Sequence, residues 1–162
     1  MTLTVADLTK WCHARRACPE AMQWLATLDP LLSAYAAWRS CERGDWLLWV
    51  AGRVVEQRLL VQAACDCAES VLHLVPAGED RPRVAIETTR RWCVGEATLG
   101  EVRHASAAAD AASAASCASS CASYAADAAA DADAASANGT TARIVRRRIR
   151  WRDVAAGIEA AQ

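Results

Sequence analysis

The stretch from residue 105 to residue 137 contains only five residue types: Ala, Ser, Asp, Cys and Tyr. Alanine has the highest helix propensity and loses no side-chain entropy in a helix, so this stretch predicts a long helix. Tyr124 is its one large side chain, and neighbouring helices can therefore approach the backbone closely. The stretch has no Lys, Arg, His, Glu or Thr. It predicts a structural element rather than a reactive one.

Length, charge and hydropathy exclude several classes of protein. The 162 residues fit a single domain with one core, and the net charge of −1 gives no general attraction to nucleic acid or anionic membrane. No segment of about 18 apolar residues is free of charge, and the first residues do not resemble a signal peptide. We therefore expect a cytoplasmic protein with no membrane partner, whose eight cysteines are reduced.

Capping and helix-breaking residues mark the helix boundaries. Thr98 and Glu101 have the spacing of a capping box at the start of the Ala-rich helix, and Asn138 and Gly139 end it. Similar signals predict the other helices, with Thr4, Asp29, Asp45, Thr141 and Asp153 as cap residues. We expect a break in the chain near 52–56. The predicted helices are 5–17, 19–28, 30–41, 46–54, 56–74, 82–93, 142–149 and 154–161. The fold class is all-α: a single-domain bundle of about eight helices around the central Ala-rich helix (98–137), followed by basic helices at 140–162.

Motifs typical of catalysis or metal binding are missing from the sequence. GxSxG, HExxH, P-loop and GxGxxG patterns do not occur, so we expect no enzyme and no cofactor. Cys117 and Cys121 lie one helical turn apart, but zinc needs two further ligands and no CxxC or HxxxH pair exists. We expect no metal, and we expect these cysteines and Tyr124 to face the core. Asp127 and Asp131 share another face of the same helix.

The C-terminal segment is rich in arginine. Residues 140–162 carry a formal charge of +4 (six Arg, one Asp, one Glu), and residues 105–137 carry −4 from four Asp. The simplest interpretation is that this segment packs beside the Ala-rich helix and the charges compensate. A protein partner is the next interpretation and nucleic acid the last, although the cluster resembles a nucleic-acid patch. The residues that such a partner would contact are Arg146, Arg147, Arg150 and Trp151.

A second candidate segment lies in the predicted fourth helix. Trp46 and Trp49 are three residues apart and share one helical face, beside Asp45. Anchoring in the core is the main interpretation of this pair. Contact with a partner is the alternative, because Trp and Arg dominate the energetics of interfaces.

Three stretches together resemble a known family: CERGDWLLWVAGR (41–53), LHLVPAGEDRPRVAIETTRRW with GEATLGEVR (72–92 and 95–103), and the Ala-rich helix. They are similar to the Imm5-like immunity proteins of bacterial polymorphic toxin systems, which also occur in phages and mobile elements. The likeness extends from about residue 17 to residue 151. Asp45, Trp46 and Trp49 match the family's GDWLLW core. Its GEDRP turn corresponds to residues 78–82, which include Glu79, Asp80 and Arg81, and is followed by Arg83.

The resemblance implies a mainly helical cytoplasmic protein that binds and neutralises a cognate toxin without catalysis. This chain departs from the family in its long helix, where relatives carry more Arg and this chain carries Ser and Asp. Two alternatives remain: a phage-encoded inhibitor of a host defence enzyme, and a nucleic-acid-associated protein that uses residues 146–152. A helix of small residues is also suited to pairing with a second copy of the chain.

Overall fold

The computed structural model of the protein describes residues 3–70, 72–120 and 139–161, and it is all-α as predicted. A short 3-10 turn at Leu72–Leu74 precedes the sixth helix. The helices are α1 (Val5–Ala14), α2 (Pro19–Ala26), α3 (Ala34–Ser40), α4 (Gly44–Ala51), α5 (Gln57–Glu69), α6 (Arg81–Cys93), α7 (Leu99–Ser120), α8 (residues 139–148) and α9 (Trp151–Ala160). None of these described helices combines the length and the apolar character that a membrane span requires.

The predicted capping box at Thr98 and the predicted cap at Thr4 are confirmed, and the structure shows that Thr4 also forms a capping box, with Asp7. At the start of α1 the backbone N–H of Asp7 donates to Thr4 Oγ1 (3.2 Å), and the Thr4 N–H donates to Asp7 Oδ2 (2.9 Å). At the start of α7 the N–H of Glu101 donates to Thr98 Oγ1 (3.2 Å), and the Thr98 N–H donates to Glu101 Oε2 (2.7 Å). Each box satisfies two backbone donors that the helix itself leaves unpaired.

The helix α3 starts four residues later than predicted, and α4 starts two residues earlier. Asp29 does not cap a helix; its carboxylate accepts from the N–H of Leu31 (2.9 Å) in a turn, and Ser33 caps α3 instead. Asp45 lies inside the first turn of α4, where it binds Arg43 rather than capping. The predicted break after α4 is confirmed, because Glu56 caps α5 through the N–H groups of Arg58 and Leu59.

The last two helices also begin earlier than predicted. Residues 139–148 are helical, so Thr141 lies inside α8 and not at its cap. Asp153 lies in the first turn of α9, whose N-cap residue is Arg150. The chain packs tightly here: a Cβ at Gly157 would lie 2.5 Å from the Val54 Cβ, so glycine permits the close approach of α9 to the end of α4.

The hydrophobic core is formed by the N-terminal and C-terminal helices. Its fully buried members in the described ranges are Val5, Leu8, Trp11, Cys12, Leu25, Ala34, Ala37, Trp38, Cys41, Leu47, Ala51, Ala63, Ala142, Val145, Ile149, Val154 and Ile158. The described part of α7 packs on α6 and adds none of these residues, although Ala105 is buried. The central position predicted for the Ala-rich helix stays a prediction, because most of the side chains of residues 98–137 lie outside what the structure describes. The predictions for the side chains of Cys117, Cys121, Tyr124, Asp127 and Asp131 lie outside what the structure describes.

One partly buried carboxylate connects three helices. Asp66 of α5 accepts from Arg90 of α6 (2.8 Å) and binds Arg148 of α8 (2.6 Å), and Arg90 also binds Glu69 (2.7 Å). The Asp66 side chain is 12% exposed, so water screens these pairs less than surface pairs. In the described part of the chain, the positive charge of Arg148 in the C-terminal segment is thus neutralised by Asp66 of α5. The predicted pairing with the acids of residues 105–137 lies outside that part.

Candidate functional site

Helices α1 to α4 and α9 enclose a pocket of about 480 Å³, which we call the aromatic pocket. Its walls carry five of the seven tryptophans of the chain: Trp24, Trp38, Trp46, Trp49 and Trp151. Three charged residues line it: Glu20, Arg43 and Asp45. A concave, largely apolar cavity of this size with few polar groups is typical of binding sites.

Two pairs of indole rings form part of the wall. Trp24 of α2 lies 5.9 Å from Trp46 of α4, with the ring planes inclined at 50°. Trp38 of α3 lies 5.9 Å from Trp151 of α9 at 44°. Contacts between aromatic rings at such distances are favourable, so each ring restrains its neighbour.

Arginines cover the faces of the α4 tryptophans. The Arg43 guanidinium lies 4.6 Å from the centre of the Trp46 ring, and the Arg53 guanidinium lies 3.6 Å from that of Trp49. Arg53 also donates to the Trp49 carbonyl oxygen (2.8 Å). Trp49 further meets Trp11 edge to face, with ring centres 6.2 Å apart. Both interpretations of this segment thus have support, because the same rings pack in the core and line the pocket.

A closed ion pair stands at one side of the pocket. Arg43 Nε donates to Asp45 Oδ1 (2.9 Å), and Arg43 Nη2 donates to Asp45 Oδ2 (2.7 Å). This hydrogen bonding lowers the pKa of Asp45 and raises the pKa of Arg43. Both groups are therefore charged at neutral pH, and Arg43 is fixed over the Trp46 ring.

Thiols in the pocket wall are chemically quiet. Cys12, Cys18 and Cys41 line the pocket. Burial raises the pKa of Cys12 to about 11 and also raises that of Cys41. These two thiols are protonated at neutral pH and are poor nucleophiles. Among the residues that the structure describes, no three His, Cys, Asp or Glu side chains are grouped to hold a metal ion.

A second concave surface lies between α6 and α7 and includes the GEDRP turn. This groove of about 760 Å³ is lined by Glu79, Asp80 and Arg81, among others. Arg81 binds Glu79 through two hydrogen bonds, one of 2.7 Å from Nε, and this contact lowers the pKa of Glu79 to about 2. Asp80 is the N-cap residue of α6, and Arg83 lines a smaller adjoining pocket.

The arginines of α8 have different environments. Arg146 donates to the carbonyl oxygens of Cys41 (2.6 Å) and Trp38 (3.3 Å), so it ties α8 to the end of α3. Arg148 binds Asp66. Arg147 and Arg150 are exposed. Arg146 and Arg148 thus bind groups of the protein itself, which leaves fewer arginines available to a nucleic acid. The nucleic-acid interpretation itself stays untested.

The aromatic pocket brings together four of the predicted partner-binding residues: Asp45, Trp46, Trp49 and Trp151. The residues of the GEDRP turn and the arginines of α8 do not line it. Sequence reasoning missed Glu20, Trp24 and Trp38, which the tertiary structure adds to the pocket. The available signal was the content of seven Trp and no Phe, which gives no information on which rings meet.

Comparison with known proteins gives one match. Residues 53–142, more than half of the chain, match the family described as "Imm-5 like putative immunity protein". The chain belongs to this family. No curated protein and no solved structure matches it.

The Imm5-like match is shorter than the predicted likeness, which ran from about residue 17 to residue 151. It contains α5, α6 and the GEDRP turn. Of the stretch at 41–53, it contains only Arg53. The groove between α6 and α7 therefore lies in the matched region, whereas the residues that line the aromatic pocket lie outside it.

Proposed function

We propose that this chain is an immunity protein that binds a cognate toxin and neutralises it by covering the toxin's working surface. Membership of the Imm5-like family is the observation that carries the proposal, since immunity proteins act on a protein partner. Inhibition of this kind needs no catalytic group in the immunity protein. It requires a surface whose binding energy is concentrated in a few anchors.

The aromatic pocket is the surface that we assign to the toxin. Trp and Arg are the residues most enriched among energetic anchors, and here five tryptophans surround one cavity beside the fixed Arg43. Rings that already pack against each other lose little side-chain freedom on binding, so the entropic cost of binding is small. The GEDRP turn is a second candidate contact, since its groove lies in the matched region.

A protection assay tests the proposed function. Candidate toxins are taken from the genes that neighbour the gene for this chain, and each is expressed in a bacterial host with and without the chain. We expect the chain to restore growth and to form a stoichiometric complex with the toxin in gel filtration with light scattering. If the purified chain neither protects the cells nor forms a complex with the toxin, the proposed function is wrong.

Filling the pocket tests the assigned surface. Ala21 lines the pocket on α2, and Ala21→Trp places an indole in the cavity. Gln23→Trp on the same helix is the matched control, because Gln23 is exposed and does not line the pocket. We expect Ala21→Trp to weaken toxin binding about tenfold or more, as loss of one anchor does, and the control to change it less than about twofold. Similar affinities for the two variants, with equal melting temperatures, would contradict the assignment.

A further inference from the structure

We propose that the aromatic pocket receives a basic side chain of the toxin, an arginine or a lysine, which packs on the indole rings of Trp24 and Trp151 and pairs with Glu20. This inference rests on the proposed function and specifies the chemistry of the partner. Three observations support it: the charges at the pocket, the distribution of the protein's own arginines over its tryptophans, and the size of the cavity.

The charges that line the pocket leave one carboxylate without an opposite charge. Arg43 and Asp45 neutralise each other through two hydrogen bonds. Glu20 lies exposed in the first turn of α2, and no hydrogen bond or ion pair of its side chain occurs among the described residues. The lining therefore carries a net charge of −1, which favours a cationic occupant over a neutral or anionic one.

The tryptophans fall into two groups. Trp11, Trp46 and Trp49 each have one of the protein's own arginines over the ring, at 4.2, 4.6 and 3.6 Å from the ring centre. In the described ranges, no arginine or lysine covers Trp24, Trp38 or Trp151 in this way, and all three rings line the pocket. Trp38 is buried, whereas Trp24 and Trp151 are only partly buried, each packed against neighbouring aromatic rings. The indole is the best aromatic acceptor for a cation, so we assign these two partly exposed rings to it.

The cavity suits the whole side chain and not the cation alone. Its 480 Å³ are bounded mainly by apolar groups, with Leu8, Leu25 and Ala37 among the buried residues. The methylene groups of an arginine or lysine bury well against such a surface, while the charged end stays near a polar group at the opening. Glu20 provides that polar group.

Small probes of equal chain length test the chemistry on the purified protein, without the toxin. The probes are n-butylguanidinium, 1-pentanol and pentanoate, and the readout is the NMR signals of the indole Nε1–H groups. We expect n-butylguanidinium to shift the signals of Trp24 and Trp151 and to bind more tightly than the other two probes. Glu20→Gln is expected to weaken this binding about two- to fivefold, the range for one exposed ion pair. Glu42→Gln, at an exposed acid outside the lining, is the control and leaves it unchanged.

Equal or tighter binding of 1-pentanol would overturn the proposal in favour of an apolar anchor, and failure of all three probes would overturn it as well. In the toxin complex we expect Glu20→Arg to lower the affinity about tenfold, while Glu42→Arg leaves it unchanged. Unchanged affinity of Glu20→Arg would also overturn the proposal. Failure of the proposed function gives a different result. If the wild-type chain binds n-butylguanidinium but does not protect against the toxin, the proposed pocket chemistry is correct and the proposed immunity function is wrong.

Discussion

Burial determines the chemistry of single side chains in this protein, and Cys12 shows it most clearly. The Cys12 side chain lies in the core, where removal from water disfavours the thiolate and raises the pKa to about 11. The pKa of Cys67 is raised to about 11 for the same reason. In the unfolded chain both thiols would ionise near the ordinary value of 9.0.

These raised pKa values predict a loss of stability at alkaline pH. Between pH 9 and pH 11 the folded protein keeps protons on Cys12 and Cys67 that the unfolded chain releases, so the free energy of unfolding falls as pH rises. By pH 10 the loss is about 1 kcal/mol for each thiol. Urea unfolding from pH 7.5 to 10.5 measures the loss, to which Cys41, Cys65 and Cys93 add, because burial raises their pKa values as well.

Cysteine variants show whether the buried thiols cause the fall in unfolding free energy with rising pH, which we call the pH slope. Cys12→Ala is expected to be less stable at neutral pH, because it leaves a small cavity, but to lose less stability on going to pH 10. Cys18→Ala, at an exposed thiol, is expected to keep the wild-type slope. An identical slope in all three proteins would show that burial of Cys12 does not control the alkaline loss.

At the scale of helices, the sequence correctly predicted the helix starts that depend only on hydrogen bonds between neighbouring residues. The caps at Thr4 and Thr98 were predicted correctly because each is complete within four residues. The starts of α3 and α4 were not, because Asp29 and Asp45 have local alternatives: a turn for the first and Arg43 for the second. An acidic residue at a cap position competes among such partners, and the sequence alone does not rank them.

The residues of the candidate site divide in the same way, into those that helical spacing identifies and those that only tertiary packing brings together. The pair Trp46 and Trp49 was identifiable from its helical spacing, but Trp24, Trp38 and Glu20 come from other helices. Their meeting depends on how α2, α3 and α4 pack, which is set by the whole core. Prediction from spacing therefore found the part of the pocket that lies on one element.

Arg146 joins α8 to α3, and this role predicts a stability effect that its neighbour lacks. Its guanidinium donates to the carbonyl oxygens of Trp38 and Cys41 at the end of α3. Arg146→Met removes both donors and leaves partly buried acceptors unpaired, so we expect a loss of about 1–3 kcal/mol in unfolding free energy. Arg147→Met, at an exposed position of the same helix, should change stability by less than about 0.5 kcal/mol. Thermal denaturation of the two variants makes the comparison; equal stability would show that the contacts of Arg146 add nothing.

At the scale of the whole molecule, the family match and the core occupy different parts of the chain. Of the buried residues that form the hydrophobic core in the described ranges, only Ala63 and Ala142 lie within residues 53–142. The remaining members come from α1 to α4, α8 and α9. The matched region thus carries the groove between α6 and α7, while the helices on either side of it in sequence supply most of the buried apolar surface.

This distribution predicts that residues 53–142 do not fold on their own. Isolated short helices are only marginally stable in water, and most helical stability in proteins comes from packing of an apolar face. Leu59, Leu60 and Ala63 of α5 pack in a core that lies mainly outside the fragment. We expect the isolated fragment to keep some helical circular dichroism from its alanines but to lose it gradually on heating, whereas the full chain melts in one sharp transition. A sharp, two-state transition of the fragment would show instead that the contacts among α5, α6 and α7, with the ion pairs of Asp66 and Arg90, are sufficient for a folded unit.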